Sequence, residues 1–159
     1  MTLTHPPILE TGILHWTDEA ACARWAVRLA QAPALRDAYI ELRGPLGAGK
    51  TTFVRHLLRA LGVQGRIKSP TFAVLEPYQV GPLVVSHFDF YRFSDPREWE
   101  DAGFREVFGR PGLKIAEWPE HAAGMLPGPD LRLQIAVADD ETRHVTTEVC
   151  SATGRALLQ

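Results

Sequence analysis

Gly44-Pro45-Leu46-Gly47-Ala48-Gly49-Lys50-Thr51 is the stretch whose reading decides the fold. Its glycines, lysine and hydroxyl stand at every fixed position of the pattern G-x4-G-K-[ST]. The flanks agree with it. Residues 38–42 form a short apolar strand pattern. From Lys50 onward apolar side chains recur at Phe53, Val54, Leu57, Leu58 and Leu61, which is helical spacing, and Gly62 follows as a stop. Strand, glycine loop and helix in that order make a phosphate-binding loop. Glycines let backbone N–H groups turn inward where a Cβ would obstruct, and the helix start adds orphan donors and about half a positive charge. The expected cradle is Leu46, Gly47, Ala48, Gly49, Lys50, Thr51 and Thr52. Lys50 reaches the β and γ phosphates, the Thr51 hydroxyl ligates Mg²⁺, and Thr52 supports the phosphates.

Outward from the loop, Thr17-Asp18-Glu19-Ala20 predicts a helix start capped by Thr17, running to about Gln31 before Pro33. Residues 72–80 and 83–90 are strand-like and separated by Gly81-Pro82, which predicts a hairpin. Residues 96–108 suggest two short helical pieces around Gly103. Residues 113–117 make a brief strand. Residues 131–138 and 143–150 predict a second hairpin turning at Asp139-Asp140-Glu141-Thr142, and the chain beyond Ser151 is expected to be a tail. One strand–loop–helix unit followed by antiparallel additions predicts an α/β three-layer P-loop NTPase-like domain with a mixed parallel/antiparallel sheet. It would occupy residues 1–159 as a single domain.

Composition sets bounds on the reading. A chain of 159 residues with 45% apolar and 23% charged residues is ordinary for one globular domain. At that length it buries roughly 70% of its unfolded surface and needs no disulfide or metal staple. No run of 18 apolar residues is present, and the first ten residues lack a basic region, so neither a membrane span nor a signal peptide is expected. Cys22 and Cys150 stand far apart, read as small apolar fillers, and fit a reducing, cytoplasmic setting. A net charge of −2 argues against bulk electrostatic binding of nucleic acid. Only three lysines accompany 14 arginines, and one of the three falls where the phosphate loop requires it.

A phosphate loop also needs acids for the metal and the attacking water. Two apolar strand patterns end in one, at Asp89 and at Glu117, and either fits the role. Lys68-Ser69-Pro70-Thr71-Phe72 reads as a switch loop through the Ser69 and Thr71 hydroxyls, or as a plain Ser-Pro turn. His87 reads as a half-buried structural histidine, and Trp16, Trp25 and Trp99 as packing residues. The chain contains no Asn, so the Asn-Lys-x-Asp guanine-reading motif is absent and adenine is favoured.

Five segments taken together, in this order and spacing, resemble the TsaE family: residues 44–53, residues 68–72, His87-Phe88-Asp89-Phe90-Tyr91-Arg92, Glu117-Trp118-Pro119-Glu120 and Leu126-Pro127. The resemblance runs from about Leu14 to Val145. It implies an ATP hydrolase that acts with the TsaB–TsaD pair in forming threonylcarbamoyladenosine beside the anticodon of tRNAs reading codons that begin with adenine. TsaD performs the transfer itself, and the tRNA is met only through the complex. The resemblance further implies that Lys50, Asp89 and Glu117 are catalytic, Thr51 and Glu117 the magnesium ligands, Ser69 and Thr71 the switch loop, and Trp118 a neighbour of the nucleotide. Arg143 would lie near the base or ribose. The chain departs from the family at Pro45, where an acid is usual, and at Phe90, where Leu is usual. Two other readings stay open, a small-molecule kinase and an ATP-sensing interaction module. The segment 97–110 is too short and too acidic to make a kinase lid, and Arg43 and Arg92 are the candidate arginine fingers.

Overall fold

A computed structural model describes residues 7–67, 70, 74–101 and 103–159. Its centre is a seven-stranded sheet. The strands are β1 (Glu10–Trp16), β2 (Tyr39–Arg43), β3 (Leu75–Val80), β4 (Leu83–Asp89), β5 (Leu113–Glu117), β6 (Leu131–Val137) and β7 (Arg143–Val149). Their order across the sheet is β1-β7-β6-β2-β5-β4-β3. β6, β2, β5 and β4 run parallel, while β1, β7 and β3 add antiparallel edges. The predicted mixed sheet is therefore present, with both hairpins where the turn residues place them.

Side-chain alternation along the strands builds two cores on opposite faces. On one face Ile40, Leu42, Val85, Ile115 and Leu133 meet α1 (Glu19–Ala30) and α2 (Lys50–Leu61) through Ala26, Leu29, Phe53, Val54, Leu57 and Leu58. Phe53 and Leu57 are fully buried, and each such side chain contributes roughly 1.5–3 kcal/mol over leaving it in water. On the other face Tyr39, Phe88 and Ala116 meet an aromatic layer made of Phe90 and Phe93 from the segment after β4, Trp99 from α3 (Pro96–Asp101) and Phe104 from α4 (Phe104–Gly109). Phe90 stacks on Phe88 and meets Phe93 edge-on, so the larger ring fills this apolar layer. Beyond the aromatic layer, over β2, β6 and β7, the same face is polar. Arg132 Nε donates to Glu41 at 3.1 Å and its Nη1 donates to Glu148 at 3.2 Å.

The structure corrects three expectations. Asp18, not Thr17, caps α1, accepting from the Ala21 N–H at 2.9 Å. Residues 10–16, which carry no assigned element in the sequence reading, form β1 at the sheet edge. The expected tail contains a last helix, α5 (Ala152–Leu157), capped by Ser151 and closed by the buried Leu157. Asp130 explains why this short helix forms. One of its carboxylate oxygens accepts from the Ser151 hydroxyl at 2.7 Å and the other from the Tyr39 N–H at 2.8 Å, tying α5 to the start of β2. Gly154 lets the helix approach, because a Cβ there would lie 1.9 Å from the Asp130 carbonyl oxygen. No helix among the described residues is long and apolar enough to cross a membrane.

Candidate functional site

The loop between β2 and α2 takes its shape from its glycines. Gly44 has φ +150°, and a Cβ on it would lie 2.5 Å from the Ile135 carbonyl oxygen, so the loop leaves β2 pressed against β6. Gly49, at φ +105°, precedes α2 and offers no side-chain cap. The first-turn N–H groups of this 12-residue helix therefore receive no side-chain cap from the residue before it and keep the partial positive charge of a helix start. Pro45, which has no N–H to give, serves through its carbonyl, accepting from Ala48 N at 3.1 Å.

Residues 46–52, Asp89, Tyr91, Glu117, Trp118 and Arg143 line one cavity of about 330 Å³. It gathers all the expected loop residues, both strand-end acids and the expected tryptophan. The expected switch residues Ser69 and Thr71 lie outside the described residues. Lys50 is buried within the cavity wall. Its Nζ donates to the carbonyls of Gly44 and, at 3.0 Å, of Pro45, and lies 4.3 Å from the centre of the Trp118 ring. Burial pushes the Lys50 ammonium below its ordinary range, against the pull of the Glu117, Glu120 and Asp89 carboxylates. Trp118 holds its ring there from a left-handed backbone, φ 56°, and stacks with His121.

The two acids stand opposite one another, because β4 and β5 are parallel with Asp89 in register with Glu117. Glu117 is only 2% exposed. Its carboxylate accepts from the Thr51 hydroxyl at 3.0 and 3.2 Å and from His87 Nε2 at 2.6 Å. His87 is thus not half-buried; it is wholly buried and bonded to the site. Asp89 is half-buried and accepts from the Tyr91 N–H at 3.0 Å.

The donor set suits magnesium. Thr51 spends its only hydrogen on Glu117, so its lone pairs remain for a cation, and every nearby ligand atom is a hard oxygen. Among the described residues no group of three or more His, Cys, Asp and Glu could hold a metal ion by itself. A magnesium ion that arrives with phosphates needs only one or two protein oxygens.

A second cavity of about 220 Å³ adjoins the first. It is lined by Trp16, Asp18, Glu19, Cys22 and Glu141, and shares Ala48, Gly49, Thr52 and Arg143 with its neighbour. The β1–β7 pairing creates it by setting Trp16 opposite Arg143. Arg143 joins the two cavities, donating from Nε to the Ala48 carbonyl at 2.8 Å and from Nη1 to the Glu141 carbonyl. Cys22 is held inert at its wall, its thiol pushed up to about 12 by burial and by Glu19. Arg43 and Arg92 line neither cavity, and Arg43 reaches across the opposite sheet face to Glu41 at 3.6 Å. The bond of His87 to Glu117 and the joining position of Arg143 escape the sequence reading, whereas Trp16, read as a packing residue, is a buried core side chain that also lines the second cavity. The signal for His87 is its place two residues before Asp89, on the same strand face.

Known proteins supply the comparison. The family model described as Threonylcarbamoyl adenosine biosynthesis protein TsaE matches residues 16–145. The chain is 42% identical over 101 residues to the tRNA threonylcarbamoyladenosine biosynthesis protein TsaE of Haemophilus influenzae, covering 64% of each chain. It is 38% identical over 107 residues to the Bacillus subtilis protein of the same name, covering 67% of this chain and 66% of that one. The match thus spans just under two thirds of the length of these two relatives. The crystal structure of YdiB from Bacillus subtilis superposes with a TM-score of 0.78 at 26% identity, covering 94% of this chain and 92% of that one.

Proposed function

Because the chain belongs to the TsaE family, we propose that it binds ATP with magnesium and hydrolyses it in support of threonylcarbamoyladenosine formation in tRNA. The observation that carries this reading is the convergence of an uncapped helix start, Lys50 and the Thr51–Glu117 pair on one cavity. On this reading the β and γ phosphates lie against the amides of residues 47–52, and Lys50 leaves the loop carbonyls to meet them. Magnesium, when bound, offsets the charge between those phosphates, and Thr51 and Glu117 are the residues that hold it. Asp89 accepts a hydrogen bond from the attacking water and holds it in line. The water oxygen bonds to the γ-phosphorus, the bond to the β–γ bridging oxygen breaks, and ADP and phosphate leave. The nucleoside occupies the second cavity, with its base against Trp16 and Arg143 beside the ribose.

The partners on this reading are TsaB and TsaD, in a cytoplasmic complex through which tRNA is met indirectly. P-loop enzymes lacking an arginine finger turn over at roughly 10⁻⁴ to 10⁻² per second, and a finger adds about 10³ to 10⁵. The candidate fingers Arg43 and Arg92 line neither cavity, and Arg143 is tethered to the Ala48, Glu141 and Gly47 carbonyls, so docking on TsaB–TsaD is expected to change the hydrolysis rate at least tenfold. The test is ATP hydrolysis with and without TsaB–TsaD, alongside threonylcarbamoyl transfer to tRNA. Transfer that runs equally well without this chain rules out the proposed role.

A further inference from the structure

We propose that His87 is a positioning residue, which fixes the Glu117 carboxylate in the orientation that receives magnesium. The inference rests on the reading of Glu117 as a metal ligand and extends it by one residue. His87 is fully buried and lines neither cavity, so it touches no nucleotide and no reacting atom. Among the described residues its one polar contact to the site is the 2.6 Å bond from Nε2 to Glu117 Oε2.

The strand register explains how the pair forms. His87 is in register with Ile115 and Asp89 with Glu117, so His87 and Glu117 share a sheet face one pleat apart. The long glutamate side chain turns back along β5 to meet the imidazole. Glu117 has two donors, and they differ in kind. Thr51 belongs to the loop and first helical turn, which must accommodate the nucleotide. His87 belongs to β4, where the buried Ile115 of β5 lies opposite it and the buried Phe88 follows it. His87 therefore anchors the carboxylate to the rigid sheet.

The chemistry of the donor matters as much as its place. A buried carboxylate needs hydrogen bonds, and an arginine or lysine would supply them while cancelling the charge that a cation needs. A neutral imidazole supplies the bond and leaves the charge in place. His87 Nδ1 finds no hydrogen-bond partner among the described residues. That fits a ring whose single hydrogen sits on Nε2, because an imidazolium would bury a second N–H with nothing to accept it.

The test compares His87→Leu, which removes the donor, with His87→Gln, whose amide keeps an N–H within reach of Glu117. Binding of a fluorescent ATP analogue to the full chain is titrated against magnesium, and a thermal melt reports folding. His87→Leu is expected to raise the magnesium midpoint at least tenfold while leaving magnesium-free nucleotide binding within about threefold. His87→Gln is expected to restore the midpoint to within about threefold of the parent. If His87→Leu does not fold, His87→Asn replaces it, because its shorter amide withdraws the donor while keeping a polar group. An unchanged midpoint in the donor-lacking variant overturns the proposal. Glu117→Ala separates the two levels of argument. If Glu117→Ala loses the magnesium response and the His87 variants keep it, only the role of His87 falls. If the parent itself shows no magnesium response, the metal-ligand reading falls and takes this inference with it.

Discussion

Strands β4 and β5 lie side by side and end at the same level, one in Asp89 and the other in Glu117. By sequence the two endings are alike, since each is an apolar strand followed by a carboxylate beside the phosphate loop. In the fold they differ. Glu117 is sealed from water and held by a hydroxyl and an imidazole. Asp89 keeps part of its surface open and caps the turn that follows it through the Tyr91 N–H. A carboxylate whose hydrogen bonds come from the protein is preorganised to hold a cation in one place, whereas one that still meets solvent is suited to hold a water. On the proposed reading, the neighbours of each acid divide the labour, and its place at a strand end does not.

That division is open to measurement. The largest expected effect is that of Glu117→Ala. Single-turnover ATP hydrolysis falls by about 10²-fold or more, while magnesium-free nucleotide binding stays within about threefold. Asp89→Asn is next, with turnover reduced by about 10²-fold and the magnesium midpoint of nucleotide binding unchanged. Equal losses in the two variants, or a shifted magnesium midpoint in Asp89→Asn alone, would break the comparison. Lys50→Ala tests what the acids share. Nucleotide affinity drops by about tenfold to a hundredfold with or without magnesium, read by calorimetry, because one charge-assisted contact contributes about 1.5–3 kcal/mol. Thr51→Ser gives the smallest change. It keeps the hydroxyl that bonds Glu117, so turnover and magnesium dependence stay within about threefold of the parent.

How much of this was legible beforehand follows from where the determining contacts lie. The strand–loop–helix unit is local, its signature residues all lie between Tyr39 and Gly62, and it reads directly. The two helical pieces about Gly103 are local in the same sense. β1 is not. It is an edge strand with Ile13 77% exposed, and it exists through pairing with β7 at the far end of the chain. Since that pairing alone brings Trp16 to Arg143, the second cavity was illegible for the same reason. α5 fails as a pattern because six residues with a central glycine have little helical preference of their own. Asp130 and the cap Ser151 decide it instead. His87 was misjudged in burial because the side chain it meets comes from another strand. The loop and the acids could be read, and the contacts that distinguish the two acids could not.

Lys50 carries a final consequence. Its ammonium is satisfied by the carbonyls of Gly44 and Pro45 and lies against the Trp118 ring. On the proposed reading, an incoming anion has to displace the neutral dipoles that serve this cation. A weakly charged intruder gains little from that exchange, whereas a polyphosphate brings enough negative charge to win it. On the proposed reading, selection among nucleotides by the length of their phosphate tails begins with the contacts that this lysine must give up.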